Sequence, residues 1–133
     1  MAQQSLLIID DDLAWRKLIV KFLGRAAYKI YTAATCAEGV ELAALHKPDC
    51  ILLDFHLPDG DAVTVCSALR ANRDIKKIPV IIFSSDPCAE PTAYTQCQAV
   101  NFLLKGLEAL HGLPATIEKT LHHLFSAIGR LIC

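Results

Sequence analysis

Short apolar runs alternate along the chain with longer segments in which apolar residues recur every three or four positions. A short continuous apolar run is typical of a buried β-strand, and the longer spacing indicates a helix with one apolar face. Strands separated by helices imply parallel pairing with right-handed crossovers, so we predict a doubly wound α/β sandwich. The five predicted strands are Leu6–Ile9, Ile30–Ala33, Cys50–Leu53, Val80–Phe83 and Phe102–Leu104.

Prolines affect the last two predicted helices. Pro87 and Pro91 are expected to keep the chain out of a helix until about Thr92, which leaves room for a short fourth helix only. Pro114 is predicted to lie in the first turn of the last helix, whose apolar positions then recur over residues 117–132. The last helix is expected to close the domain.

Composition and charge restrict the possible functions. The chain has the size of one domain, residues 1–133, and its 13 Lys and Arg against 14 Asp and Glu give a formal net charge of −1. No basic block is present, so direct nucleic-acid binding is not expected. Neither a signal peptide nor an apolar stretch of about 18 residues is found, so we expect a cytoplasmic protein away from the membrane. In that compartment six cysteines are predicted to be buried or half-buried free thiols: Cys36, Cys50, Cys66, Cys88, Cys97 and Cys133.

Polar residues follow four of the five predicted strands. In a parallel sheet of order 2-1-3-4-5 the first and third strands are neighbours about 4.8 Å apart, so the side chains at their carboxyl ends converge. The residues at the strand ends are Asp10, Asp11 and Asp12 after the first, Asp54 after the third, Ser84 and Ser85 at the fourth, and Lys105 at the fifth. The sequence therefore predicts an acidic pocket facing a lysine and a hydroxyl.

These residue types suit phosphoryl transfer. Carboxylates that lie close together raise each other's pKa unless a cation neutralises them, and oxygen ligands suit Mg²⁺. Lys105 adds a second positive charge, and Ser84 can donate a hydrogen bond to a phosphoryl oxygen. An aspartate can itself be the nucleophile and form an acyl phosphate.

Four motifs in order resemble those of the response-regulator receiver family of two-component signalling, and the resemblance covers essentially the whole chain. They are "LLIIDDD", "CILLDFHLPDGDA", "IPVIIFSS" and "NFLLK". The resemblance implies a flavodoxin-like (βα)5 sandwich with a five-stranded parallel sheet of order 2-1-3-4-5. It also implies that Asp54 is the phosphoacceptor beside a Mg²⁺ ion. The implied metal ligands are Asp10, Asp11, the Asp54 carboxylate and the backbone carbonyl of His56, whose imidazole stays free.

The same resemblance assigns the remaining roles. Ser84 takes the place of the switch hydroxyl, Phe102 that of the switch aromatic, and Lys105 that of the signature lysine. A histidine kinase or a histidine phosphotransfer protein would supply the phosphoryl group, and a downstream protein partner would recognise the switched face. The chain would then be a signalling receiver that promotes its own phosphorylation and dephosphorylation, and not an enzyme acting on other substrates. Its oligomeric state is left open.

Three positions depart from the family pattern. Gly106 stands where a proline usually follows the lysine, so no cis Lys–Pro bond is expected there. Ala62 replaces a glycine at the turn into the third helix, and the stretch "GLEALHGLP" before the last helix is longer than usual. All three lie outside the acidic pocket.

Single residues also have structural interpretations. Asp12 is predicted to be a helix N-cap, because a short acceptor side chain is favoured there. Phe102 is an aromatic at a strand end, which is most often core packing. His122 and His123 are expected to lie on exposed and boundary faces of the last helix and not to accept a phosphoryl group.

Two other functions remain open at the level of sequence. In a haloacid-dehalogenase-like phosphatase, Asp10 would be the nucleophile, Asp12 the acid/base, and Ser84 and Lys105 the second and third motif residues, but Asp54 would then have no role. A receiver-like scaffold that only binds partners would bind no Mg²⁺, which quenching of Trp15 beside the acidic pocket would test. A flavin carrier is disfavoured because no phosphate-binding loop follows the first strand.

Overall fold

The computed structural model describes the backbone of residues 3–24 and 27–132, and side chains in that part up to residue 122. Seven strands lie in the described part, two of which are only two residues long. The strands are β1 (Ser5–Ile9), β2 (Lys29–Ala33), β3 (Cys50–Leu53), β4 (His56–Leu57), β5 (Gly60–Asp61), β6 (Val80–Ser84) and β7 (Asn101–Leu104). The five longer strands form one parallel sheet of order β2-β1-β3-β6-β7, which confirms the predicted order.

Five helices connect and flank these strands. They are α1 (Leu13–Leu23), α2 (Cys36–His46), α3 (Ala62–Ala71), α4 (Glu90–Thr95) and α5 (Leu107–Ile132), and a 3-10 turn (Pro87–Ala89) precedes α4. The short strands β4 and β5 pair antiparallel in a hairpin between β3 and α3. None of the described helices is long and apolar enough to cross a membrane.

The sheet has a separate apolar core on each face, because side chains alternate along a strand. Leu7 and Ile9 of β1 pack in a cluster with residues of α2, α3 and α4. Leu6 and Ile8 of the same strand pack in a second cluster with residues of α1 and α5. The continuous apolar run of β1 is therefore buried on both sides, and the predicted doubly wound sandwich is confirmed.

Short polar side chains mark the starts of the helices. Asp12 accepts hydrogen bonds from the first turn of α1, as predicted for an N-cap, and Asp61 does the same for α3. Ala62 begins α3 in a fully buried position, and its N–H donates to the Phe55 carbonyl at 2.8 Å. The turn into α3 therefore accommodates alanine in place of the usual glycine.

The predicted start of the last helix was wrong. The structure places the first residue of α5 at Leu107, so the stretch read as a long loop is helical and Pro114 lies inside the helix. An internal proline costs about 3 kcal/mol, because it removes one hydrogen bond and its ring meets the preceding turn. Leu110 and Leu113 are both almost fully buried before the proline. Burial of two leucines contributes about 3–6 kcal/mol, which outweighs that cost.

The fourth helix is short, as predicted, but it begins at Glu90 and not at about Thr92. Pro91 lies in its first turn, where the missing N–H would have no partner within the helix in any case. Five of the cysteines are free thiols, and four of those are buried as predicted. The prediction was wrong for Cys88, which is exposed just after Pro87, and Cys133 lies outside the described residues. His122 is exposed, and the side chain of His123 lies outside the described part.

Candidate active site at the carboxyl edge of the sheet

Two aspartates leave neighbouring strands side by side. Ile9 and Leu53 are register partners in the β1–β3 pair, so Asp10 and Asp54 are the next residues on each strand. The Asp54 N–H donates to the Ile9 carbonyl at 2.8 Å, which continues the ladder by one residue. The sheet therefore fixes both backbones at its carboxyl edge.

Three carboxylates meet at this edge. One oxygen each from Asp10, Asp11 and Asp54 lies within 4.8 Å of the other two. Asp10 and Asp54 are 2% and 8% exposed, whereas Asp11 is exposed to solvent. Carboxylate oxygens with an open side to water are the donor set that Mg²⁺ prefers, because this ion keeps several of its waters. The cluster therefore fits a hard divalent cation and joins the three acids predicted from the sequence.

Lys105 reaches the acids from the far side of the sheet. Its Nζ lies 2.7 Å from Asp10 Oδ2 and 3.0 Å from Asp54 Oδ2, and its side chain is only 5% exposed. Burial alone would lower the pKa of this lysine, but its hydrogen bonds to Asp10 and Asp54 outweigh burial and raise the pKa above its ordinary value. Lys105 is thus a charged ammonium held between two carboxylates.

The Asp54 carboxyl has a raised pKa. Burial is the largest cause and the nearby Asp10 carboxylate adds to it, while Lys105 acts in the opposite direction. The Phe55 N–H also donates to Asp54 Oδ1 at 2.8 Å and favours the charged form. The positive charge of Lys105 therefore does not fully offset burial and the neighbouring Asp10 carboxylate, and a further cation would favour the ionised Asp54.

The two predicted switch residues lie on the last two strands of the sheet. Ser84 ends β6 and is 1% exposed, and its hydroxyl oxygen accepts a hydrogen bond from the Asp86 N–H at 3.1 Å. Its backbone carbonyl accepts the Lys105 N–H at 2.8 Å, which joins the serine to the lysine through the main chain. Phe102 is half-buried and packs against the core cluster on the α3 and α4 side.

His56 turns its imidazole away from the acids. Its Nε2 lies 2.9 Å from Asp86 Oδ2, and its side chain is 64% exposed. The contact with His56 lowers the pKa of Asp86, and a hydrogen bond from the Cys88 N–H adds to that effect. The imidazole thus contacts Asp86 and not the acidic cluster, and a metal contact through the backbone carbonyl of His56 stays a prediction.

Asp12 is the third acid of the first motif, and it has a structural role. Its Oδ1 accepts the Ala14 N–H at 2.8 Å and the Trp15 N–H at 3.4 Å. Its carboxylate therefore faces the start of α1. The phosphatase alternative would instead need this carboxylate as an acid/base beside Asp10. Nothing in this geometry favours that alternative.

Trp15 lies beside the acidic pocket, as expected, but three specific contacts at the site were not predicted from the sequence. The Trp15 ring lies beside the Lys105 ammonium, with 5.3 Å from Nζ to the ring centroid. Arg16 Nη1 donates to the Asp10 carbonyl at 2.7 Å. Asp86 links the hydroxyl of Ser84 to the ring of His56. Asp86 before Pro87 was a visible turn signal, and the other two residues lie one turn beyond the acids on α1.

Comparison with known proteins identifies one family. The sequence model of the response regulator receiver domain matches residues 6–116. A protein-glutamate methylesterase/protein-glutamine glutaminase from Hahella chejuensis is 29% identical over 131 residues, which is 95% of this chain and 33% of that protein. The chain spans about one third of the length of the curated relatives it matches.

Solved structures agree in fold. A Chloroflexus aurantiacus protein described as a response regulator has a TM-score of 0.82 and 25% identity, covering 91% of this chain and 99% of that one. The receiver domain of a sensor histidine kinase from Pseudomonas aeruginosa has a TM-score of 0.73 and 22% identity, covering 92% and 97%. That structure holds a magnesium ion coordinated in its active site cleft.

Proposed function

We propose that this chain, which belongs to the response regulator receiver domain family of two-component signalling, accepts a phosphoryl group on Asp54 and thereby switches a protein-binding face. The observation that carries the proposal is the position of Lys105 Nζ, 2.7 Å from Asp10 and 3.0 Å from Asp54, beside a cluster of three acids. This arrangement supplies a nucleophile, a cation site and an ammonium within one small volume.

The carboxylates of Asp10, Asp11 and Asp54 and the backbone carbonyl of His56 would hold a Mg²⁺ ion. When bound, this ion supplies positive charge that keeps Asp54 ionised and neutralises phosphoryl oxygens. The magnesium ion in the cleft of the Pseudomonas aeruginosa receiver domain supports this choice of metal. The raised pKa of Asp54 supports it too, since burial and Asp10 leave the carboxylate in need of a further cation.

Asp54 is the nucleophile of the transfer step. A carboxylate oxygen of Asp54 forms a bond to phosphorus, the phosphorus–nitrogen bond of a phosphohistidine breaks, and the imidazole leaves with the electron pair of that bond. Lys105 and Ser84 would contact the phosphoryl oxygens that do not react. Attack by water on the acyl phosphate releases inorganic phosphate and restores the Asp54 carboxylate.

Phosphorylation would be read through the two switch residues. A phosphoryl group adds nearly two negative charges beside Lys105 and Ser84. We infer that Ser84 then moves inward to donate to a phosphoryl oxygen and that Phe102 reorients into the space it leaves. The face that changes is formed by α4, β7 and α5.

The partners follow from this chemistry. A histidine kinase or a histidine phosphotransfer protein donates the phosphoryl group, and a downstream protein binds the switched face. We propose no direct contact with nucleic acid and leave the oligomeric state unassigned. The described free thiols are those of a protein that works in a reducing compartment, and we propose the cytoplasm. The methylesterase and glutaminase activities in the name of one relative are not proposed for this chain.

Incubation with acetyl phosphate and Mg²⁺ tests the proposal. The wild-type chain should gain one phosphoryl group by mass spectrometry, and Asp54→Asn should gain none because its amide is not a nucleophile. Asp74→Asn makes the same change at an exposed position between α3 and β6 and should behave as wild type. Phosphate retained by Asp54→Asn would refute the assignment of the acceptor. Steady phosphomonoester hydrolysis that disappears in Asp10→Asn would favour a phosphatase instead.

A further inference from the structure

The indole ring of Trp15 covers one side of the Lys105 ammonium. Lys105 Nζ is 5.3 Å from the ring centroid, within the range of a cation–π contact. The ring stands edge-on to Phe83, with centroids 5.6 Å apart and an interplanar angle of 87°. Phe83 is almost fully buried, so it fixes the orientation of the indole. Trp15 therefore presents a positioned π face to the lysine.

The backbone is held on both sides of Lys105, so the direction of its long side chain is set by what the ammonium contacts. Gly106 follows Lys105, and its carbonyl accepts the Leu110 N–H at 3.1 Å in the first turn of α5. On the other side, the Lys105 N–H is bound to the Ser84 carbonyl at 2.8 Å. These two hydrogen bonds fix the backbone around Lys105, and the direction of the four-carbon side chain then depends on what surrounds its ammonium.

Three groups surround it in the described structure. The carboxylates of Asp10 and Asp54 accept its hydrogen bonds, and the Trp15 ring covers another side. The side chain is 5% exposed, and the attraction between a cation and an aromatic face grows when water is excluded. An aromatic ring also offers the ammonium no hydrogen-bond acceptor, so it leaves the N–H groups directed at the acids.

We propose that Trp15 is a positioning residue for phosphoryl transfer, which holds the Lys105 ammonium against Asp10 and Asp54 through a cation–π contact. This inference rests on the proposed function, because it assigns Trp15 an effect on a reaction at Asp54. The alternative is that Trp15 only fills space beside Phe83. The two differ in one respect: a positioning role depends on the electron density of the ring face, and packing depends on its shape.

The chain has one tryptophan, so incorporation of a fluorinated tryptophan analogue changes this ring alone. Protein with mono-, di- and trifluorotryptophan keeps nearly the same shape while each fluorine weakens the π face. We expect the rate of phosphorylation by acetyl phosphate in Mg²⁺ to fall stepwise with fluorination, by about fivefold over the series. A rate that does not change across the series, measured where every protein of the series is fully folded, would overturn the proposal.

A double-mutant cycle separates the contact from general packing. The loss of unfolding free energy on fluorination is measured in wild type and in Lys105→Met, which keeps the length of the side chain without its charge. We expect fluorination to destabilise the wild type and to leave Lys105→Met unchanged. Equal losses in both backgrounds would mean that Trp15 is packing alone.

The same experiment distinguishes the two levels of inference. Unmodified protein that takes up no phosphoryl group ends the proposed function itself, and the role of Trp15 with it. Phosphorylation at Asp54 at the same rate with every ring type would refute only the role of Trp15 and would leave the proposed function standing. Trp15→Phe provides a second measurement: it keeps a weaker aromatic face, so its rate should lie between those of wild type and Trp15→Met.

Discussion

Lys105 Nζ lies closer to Asp10 Oδ2, at 2.7 Å, than to Asp54 Oδ2, at 3.0 Å. The lysine thus binds the carboxylate beside the acceptor at least as closely as the acceptor itself. One ammonium shared by two buried acids leaves the cluster with an excess of negative charge. The affinity for a divalent cation and the reactivity of Asp54 should both depend on that excess.

The first prediction concerns the titration of Asp54. Its pKa is raised by burial and by Asp10 and lowered by Lys105, so Lys105→Met should raise it further. Mg²⁺ should lower the apparent pKa, because it binds the ionised form. The measurement is the carboxyl ¹³C shift of Asp54 followed by NMR against pH. A lower pKa in Lys105→Met would contradict the electrostatic account of the site.

The same shift predicts a change in stability. Because the folded-state pKa of Asp54 is raised, its favourable contribution is present below the ordinary pKa of about 3.9 and is lost as pH rises through the folded value. Asp54→Asn keeps the neutral form at all pH values, so without divalent cations it should be more stable than wild type at neutral pH. Urea unfolding should show the two proteins converging in acid, and a constant difference would count against this explanation.

Metal binding should separate the acids from the imidazole. His56→Ala should change the Mg²⁺ affinity by less than about threefold, since the imidazole contacts Asp86 and only the backbone carbonyl is assigned to the metal. Asp11→Asn, an exposed position, should weaken binding by about tenfold or more. Titration calorimetry measures both variants. A loss of tenfold in His56→Ala would mean that the imidazole itself takes part.

Two glycines in helices should respond oppositely to alanine. A Cβ at Gly39 of α2 would lie 2.5 Å from Cδ1 and 3.0 Å from Cγ1 of Ile9, the residue before Asp10. Gly39→Ala should therefore destabilise by about 1–2 kcal/mol after the gain in helix propensity. Gly112→Ala in α5 meets no atom within 4 Å and should stabilise by about 0.5–1 kcal/mol. The free energies of unfolding in urea decide, and similar values for both variants would contradict the contact at Ile9.

Asp59 attaches the β4–β5 hairpin to α2, and this link should depend on pH. Its Oδ1 accepts the Cys36 N–H at 2.8 Å and its Oδ2 accepts the Ala37 N–H at 3.1 Å, and these bonds lower its pKa. Their contribution is present above an ordinary pKa of about 3.9 and is lost as pH falls through the folded value. Thermal unfolding should show Asp59→Ala below wild type at neutral pH, and the two should approach each other in acid. Asp59→Asn keeps one acceptor and should lie between them.

The sheet could be read from the sequence because its determinants are local. Continuous apolar runs mark β1, β3 and β6 as strands buried on both faces, and a polar residue directly after each run marks the edge where ligands bind. Asp10 and Asp54 follow from that pattern alone. The strand order then brings them together, since β1 and β3 are neighbours in the sheet.

The features that escaped prediction depend on distant contacts. Pro114 indicated a helix start, but α5 begins at Leu107. The earlier start buries Leu110 and Leu113 against α1 and the sheet. Trp15 and Lys105 are far apart in the chain, and no periodicity reports the direction of an indole. Asp59 caps a helix that precedes it in sequence, so the usual search for a cap just before a helix does not find it.

Ser84 enters any switch with its hydroxyl oxygen already engaged, since it accepts the Asp86 N–H, and Asp86 in turn binds His56 and opens the turn before α4. Drawing the hydroxyl toward a phosphoryl group would therefore give up a hydrogen bond that the serine oxygen accepts and gain one that its O–H donates. The cost of that motion would fall on the peptide at residue 86, whose N–H would lose its acceptor.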